Sequence, residues 1–140
     1  MILVVHPDCA CSNIENEMQV LENIKQFCRG KDYIVATEKF MTLEQRENIS
    51  ELLENTKGHI HGKSFEEIAI FAKNIKNAEK VELCGYFANL CVRGVAFELE
   101  KLGVKTVLLG GLTADYYDEF EEDMHLPNWE YREVELDRGI

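Results

Sequence analysis

The stretch Leu83-Cys84-Gly85-Tyr86-Phe87-Ala88-Asn89-Leu90-Cys91-Val92 is where this chain's residue types and spacing best fit chemistry. An apolar run ends at Gly85, the chain turns, and Cys91 enters the first turn of a helical pattern. Unpaired amides and the helix dipole favour an anion at that position. A thiol held there is expected to have a lowered pKa, and the thiolate is the nucleophile. The same amides could receive the oxyanion of a tetrahedral intermediate. Against this stands the commoner role of a cysteine in an α/β domain, that of a small buried hydrophobe. Two further groups could do chemistry. Cys9-Ala10-Cys11 could act as a redox pair or supply a resolving thiol for Cys91. His59 and His61 alternate, so on a strand they share a face, but two imidazoles fall short of the three or four ligands of a zinc site, and no metal is expected.

Strand-length apolar runs alternate with helical patterns and position these residues. Ile2 to Val5 reads as a buried parallel strand. Ser12 and Glu15 form a capping box ahead of Ile14, Met18, Leu21, Ile24 and Phe27, which line one helix face before Gly30 stops it. Tyr33 to Ala36 is strand two. Thr42 with Gln45 caps a helix bearing Leu43, Ile49, Leu52 and Leu53. A short strand surrounds His59-Ile60-His61. Ser64 with Glu67 caps a helix carrying Phe65, Ile68, Ala69, Ala72 and Ile75. Val81 to Cys84 is strand four, and the helix after Asn89 turns Val92, Val95, Leu99 and Leu102 inward. Val104 to Leu109 is strand five, ending at Gly110-Gly111. Ala114 to Met124 is an acidic helix, and Trp129 to Leu136 is a polar edge strand. Repeated strand–helix units imply a mostly parallel six-stranded sheet with helices on both faces, a Rossmann-like three-layer α/β sandwich. Such sheets bind ligands beyond the carboxyl ends of their strands.

The totals bound the rest. The 140 residues form one domain spanning 1–140, and 46% are hydrophobic, enough for a packed core. A formal charge of -11 opposes nucleic acid and anionic lipid. The five cysteines leave one unpaired under any disulfide scheme. No basic leader precedes the first apolar run, and no segment approaches a membrane span, so a reduced cytoplasm is the expected compartment. The first strand–helix turn, His6-Pro7-Asp8-Cys9-Ala10-Cys11, lacks the glycines of a dinucleotide site. No aspartate follows strand three, as a phosphoacceptor receiver domain would need.

Gly85, Asn89, Cys91 and Val92 match the Gly-Val-x-Thr-Asp/Asn-x-Cys-Val signature of the isochorismatase-like cysteine hydrolases, the superfamily that includes nicotinamidases. Ala88 stands where threonine is usual. Phe97 to Val104 resembles that family's next helix, its glycine and the following strand. The resemblance implies a cofactor-free hydrolase attacking a small amide or related electrophile through Cys91. It implies an aspartate base after strand one, a lysine after strand three, and a cis peptide at Tyr86-Phe87 with the Phe87 and Cys91 amides as oxyanion donors. Strict register puts His6 at the aspartate's place, and Asp8 follows two residues later. Either could serve, or neither acts. Lys57 and Lys63 flank strand three, and each is a candidate to stabilise the thiolate. Nicotinamidases resemble one another in an Asp-x-His metal motif after strand two, where this chain reads Ala36-Thr37-Glu38-Lys39-Phe40. The resemblance also implies a small-molecule substrate and a homo-oligomer. The alternative is a non-catalytic binding or assembly protein on the same fold.

Overall fold

The computed structural model describes residues 1–75, 77–115 and 126–136. Six strands form one all-parallel sheet in the order β3-β2-β1-β4-β5-β6. They are β1 (Ile2–Val5), β2 (Tyr33–Thr37), β3 (Gly58–His61), β4 (Lys80–Tyr86), β5 (Lys105–Ala114) and β6 (Glu130–Glu133). The helices are α1 (Glu15–Cys28), α2 (Leu43–Asn48), α3 (Ser50–Asn55), α4 (Phe65–Ile75) and α5 (Cys91–Lys101). No helix among the described residues is long and apolar enough to cross a membrane.

Period-two alternation splits the apolar strand residues between two cores. Val4, Val35, Cys84 and Leu109 pack with Leu21 and Ile24 of α1 and with Ile49 and Leu52. Leu3, Val5, Ile34, Ala36 and Leu83 pack with Ile68, Ala69 and Ala72 of α4 and Val92, Val95 and Leu99 of α5. Helices thus cover both faces, which is why β1 is fully apolar.

Two capping boxes form as the sequence implies. The Gln45 amide donates to Thr42 Oγ1, and the Thr42 amide donates to Gln45 Oε1. Ser64 and Glu67 make the same reciprocal pair. The box expected at Ser12 is absent. Ile14 holds the N-cap position of α1 without a side-chain cap, and Glu17 Oε1 accepts from the Cys11 amide. The carboxylate that reaches back is therefore two residues later than expected.

The helix expected after Thr42 breaks into α2 and α3 at Ile49, whose ψ of 12° leaves the helical range while its side chain stays fully buried. Leu43, expected inward, is exposed. Strand β5 does not end at Gly110-Gly111. It bulges there, with Leu83 opposite Leu108 but Gly85 opposite Thr113, because Gly111 adopts φ +83° and lets the strand resume. Ala114, expected to open an acidic helix, closes β5, and residues 116–124 of the expected helix lie outside the described residues. Strand β6 is fully exposed, as a polar edge strand should be.

Candidate active site

The carboxyl ends of β1, β2, β3 and β4 converge on one small pocket. Its lining includes His6 from the end of β1, Thr37 and Glu38 from the end of β2, Lys63 beyond β3, Phe65 of α4, and Cys91. The volume is about 240 Å³, below the range usual for drug-sized ligands. Larger hollows of about 440 and 460 Å³ exist. The first surrounds Lys57 and the start of β2, and the second is an open groove along α4. Neither contains a nucleophile paired with a base, so the smaller pocket is the chemical candidate.

Gly85 brings β4 against β1. Its φ is +118°, and a Cβ there would lie 2.0 Å from the Val5 carbonyl oxygen. The chain then turns through a cis peptide bond between Tyr86 and Phe87. The Phe87 carbonyl accepts from the amides of Leu90 and Val92, which fixes the turn into α5. Cys91 is the first residue of α5, so its own amide has no acceptor within the helix. Gly94 lets α5 close on α4, since a Cβ there would meet the Phe65 ring at 2.4 Å.

His6 sits in the left-handed region at φ 49°, ψ 51°, with its amide donating to the Ala36 carbonyl at 2.8 Å. For a non-glycine residue this is a strained conformation of the kind found at functional sites. The side chain is buried, 5% exposed, and Nδ1 lies 3.2 Å from Glu38 Oε1 without hydrogen-bond alignment. Burial pulls the His6 pKa down against the opposing pull of Glu38 and Asp8, so the ring is neutral near pH 7. Asp8, also buried, does not line the pocket. Its Oδ2 accepts from the Glu38 amide at 3.1 Å, and burial pushes its carboxyl up despite that bond.

Cys91 departs from the expectation of a lowered thiol pKa. Burial first, then the carboxylates of Glu38 and Asp8, push it up to about 11. The helix terminus is outweighed by desolvation and two nearby negative charges. The resting thiol is therefore protonated, and a base must take its proton during attack. Cys28 is pushed up by burial to about 12, and Cys84 rises well above its ordinary value. Both are buried core thiols.

The two flanking lysines part company. Lys63 follows β3 and lines the pocket. Lys57 precedes β3, at the opposite end of the sheet, and its Nζ lies 3.9 Å from Asp32. The imidazoles of His59 and His61 each engage the Thr37 hydroxyl at 2.7 Å. Cys9 Sγ donates to Glu38 Oε1 at 3.8 Å, and Cys9 and Cys11 both line a neighbouring hollow with Ser12 and Thr42. Glu38 is the member that the sequence reading missed. It meets both His6 and Cys9, and only the adjacency of β1 and β2 reveals it. Among the described residues, His6, Cys9 and Glu38 also offer three potential ligand atoms all within 4.8 Å of one another. An Asp-x-His motif after β2 has no counterpart here, because Lys39 and Phe40 follow Glu38.

No family profile and no curated protein matches the sequence. Solved structures do match the architecture. The MAR1 ribonuclease of Caenorhabditis elegans superposes with a TM-score of 0.60 at 17% identity, over 81% of this chain and 64% of that one. The nicotinamidase of Staphylococcus aureus gives 0.58 at 15% identity, over 81% of this chain and 80% of its own. This shared architecture is the α/β isochorismatase-like fold. A third match is the YcaC protein of Escherichia coli, described as an octameric hydrolase of unknown specificity, with a TM-score of 0.58 at 12% identity over 81% of this chain and 63% of that one. The chain spans less than two thirds of the length of MAR1 and YcaC. Within the isochorismatase-like fold, the pocket sits where an open parallel sheet offers one, outside the carboxyl ends of its central strands.

Proposed function

We propose that the chain is a cysteine hydrolase for a small amide or related electrophile, with Cys91 as nucleophile, His6 as base and Glu38 orienting the imidazole. The observation that carries the reading is that Cys91, His6 and Glu38 line one pocket, with Glu38 Oε1 3.2 Å from His6 Nδ1. A nucleophile, a base and a group orienting the base make the arrangement that activates a weak nucleophile. Asp8, the other candidate base, accepts a hydrogen bond from the Glu38 amide and does not line the pocket.

In the proposed step, His6 removes the thiol proton as Sγ bonds to the carbonyl carbon. The oxygen becomes an oxyanion and is received by the Cys91 amide. Collapse breaks the C–N bond, and the imidazolium returns its proton to the leaving amine. Water then attacks the thioester with His6 again taking the proton, releasing the acid and restoring the thiol. Lys63 places positive charge at the pocket to offset the negative charge that develops. Lys57, at the far end of the sheet, has no part in this. A pocket of about 240 Å³ suits a substrate smaller than a drug-sized ligand.

The test is hydrolysis of a panel of small primary amides and activated esters by the whole chain. Turnover abolished in Cys91→Ser, greatly reduced in His6→Ala and unaffected by Lys57→Ala supports the reading. Turnover that survives Cys91→Ser refutes it. The same reading carries self-association into an oligomer, checked by light scattering. A second reading, a non-catalytic binding module, is favoured by the raised Cys91 thiol, and it would be supported by tight binding of panel members without turnover.

A further inference from the structure

We propose that His6 Nδ1, Cys9 Sγ and Glu38 Oε1 form a binding site for one thiophilic divalent cation of the zinc class. The sequence supplies a His-x-x-Cys pair, and the single 3₁₀ turn Pro7–Cys9 closes it, with the Cys9 amide donating to the His6 carbonyl at 2.9 Å. Both side chains approach Glu38 Oε1, so they project to the same side of the turn. Glu38 enters from the end of β2, and its backbone is held by the bond from its amide to Asp8.

Zinc bonds of roughly 2.0–2.3 Å to nitrogen, oxygen and sulfur place tetrahedral neighbours about 3.3–3.8 Å apart. His6 Nδ1 and Glu38 Oε1 are 3.2 Å apart, Cys9 Sγ and Glu38 Oε1 are 3.8 Å apart, and all three atoms lie within 4.8 Å. The set closes around an ion with movements of a few tenths of an ångström to about one ångström. A second observation points to the same ligand. His6 Nδ1 is buried and makes no hydrogen bond, a condition that costs free energy unless something occupies the lone pair. Neutral imidazole, thiolate and carboxylate together carry the charge that a divalent ion cancels. Binding forms the Cys9 sulfur–metal bond and releases the thiol proton to solvent. Glu38, the half-exposed member, gives the ion its path in, and water completes the coordination. None of these ligands belongs to an Asp-x-His motif.

A cation on Nδ1 leaves the ring's proton on Nε2, and such a ring cannot accept the Cys91 proton. Cation binding therefore switches off attack by Cys91. That consequence rests on His6 being the base, whereas the binding itself does not.

The test uses the whole chain after chelator treatment, titrated with Zn²⁺ by calorimetry and with Co²⁺ by absorption. One equivalent binds, and Co²⁺ gives a thiolate-to-metal charge-transfer band. Cys9→Ser abolishes the band, and His6→Ala or Glu38→Gln weakens binding at least about tenfold, the scale seen when metal-site partners are lost. Cys91→Ser and Cys11→Ser leave binding unchanged. If Cys9→Ser fails to fold, protection of Cys9 from alkylation by Zn²⁺ in the parent chain gives the same answer. Sub-stoichiometric binding, a band that survives Cys9→Ser, or a Cys9 that Zn²⁺ does not protect would overturn the proposal. Because Cys91→Ser lacks the proposed nucleophile, binding in that variant is judged independently of hydrolysis. Failure of hydrolysis in the parent chain leaves the cation site standing, and failure of binding leaves the hydrolase reading standing.

Discussion

Replacing Gly85 by alanine tests how the fold positions the site. Gly85 pairs with Val5 in the sheet, and a Cβ built on it would lie 2.0 Å from the Val5 carbonyl oxygen and 2.8 Å from the Val5 nitrogen. Ordinary contact needs about 3.4 Å or more, so β4 and β1 would have to part by over an ångström between two buried central strands. The φ of +118° adds about 1–3 kcal/mol for a residue with a side chain. With disturbed sheet pairing and packing, the expected loss is about 3–5 kcal/mol, a large share of the 5–15 kcal/mol that holds an ordinary domain together. Gly103 is the control. Its φ is also positive, at +76°, but nothing lies within 4 Å of its added Cβ, so alanine there should cost only about 1 kcal/mol. Urea unfolding measures both. A Gly85→Ala loss below about 1 kcal/mol, or one no larger than that of Gly103→Ala, would refute the claim that this glycine exists to let β4 approach β1 beside His6.

Alkylation of Cys91 by iodoacetamide, followed by mass spectrometry against pH in chelator-treated protein, should titrate near 11, where burial and the two carboxylates place it. Glu38→Gln removes one of those charges and should lower that midpoint, by at most about one pH unit since burial contributes most, while slowing turnover because His6 loses its orienting group. Stability should fall at alkaline pH. The folded chain holds the Cys91 and Cys28 thiols protonated to about 11 and about 12 against an ordinary value of 9.0, so the stabilisation present below pH 9 is lost as pH rises through those values, read as a falling urea midpoint. Thr42→Ala removes one capping bond at an exposed helix start and should cost about 1 kcal/mol without changing turnover.

Much of the architecture is legible because it is local. The Thr42–Gln45 and Ser64–Glu67 boxes, the continuous apolar run of β1, and the helical stripe through Val92, Val95 and Leu99 each need only near neighbours in sequence. The misplaced features depend on tertiary context. Ser12 does not cap because α1 starts at Glu15 with Ile14 in the N-cap position, and Gly110-Gly111 reads as a stop but permits a bulge within a paired strand. Within the site, Cys91 is visible from its place between a strand and a helix. Lys63 could have been separated from Lys57 by the rule that parallel sheets bind at their carboxyl ends, since the two residues flank opposite ends of β3. Glu38 was invisible. It is one carboxylate after an apolar strand, and its importance arises only when β2 lies beside β1 and brings it to His6 and Cys9. The raised Cys91 thiol has the same origin, since the charges opposing it come from Glu38 and Asp8, remote in sequence.

The most direct measurement is the single-turnover acylation rate of Cys91 by an activated ester at pH 7, compared between the parent chain and His6→Ala. With the thiol titrating near 11, attack at pH 7 depends on a base. The parent should therefore acylate at Cys91 at least about 100-fold faster than His6→Ala, whose residual rate should climb about tenfold per pH unit towards 11 as thiolate forms. Rates within twofold of each other at pH 7, or acyl groups found on other cysteines in place of Cys91, would contradict it.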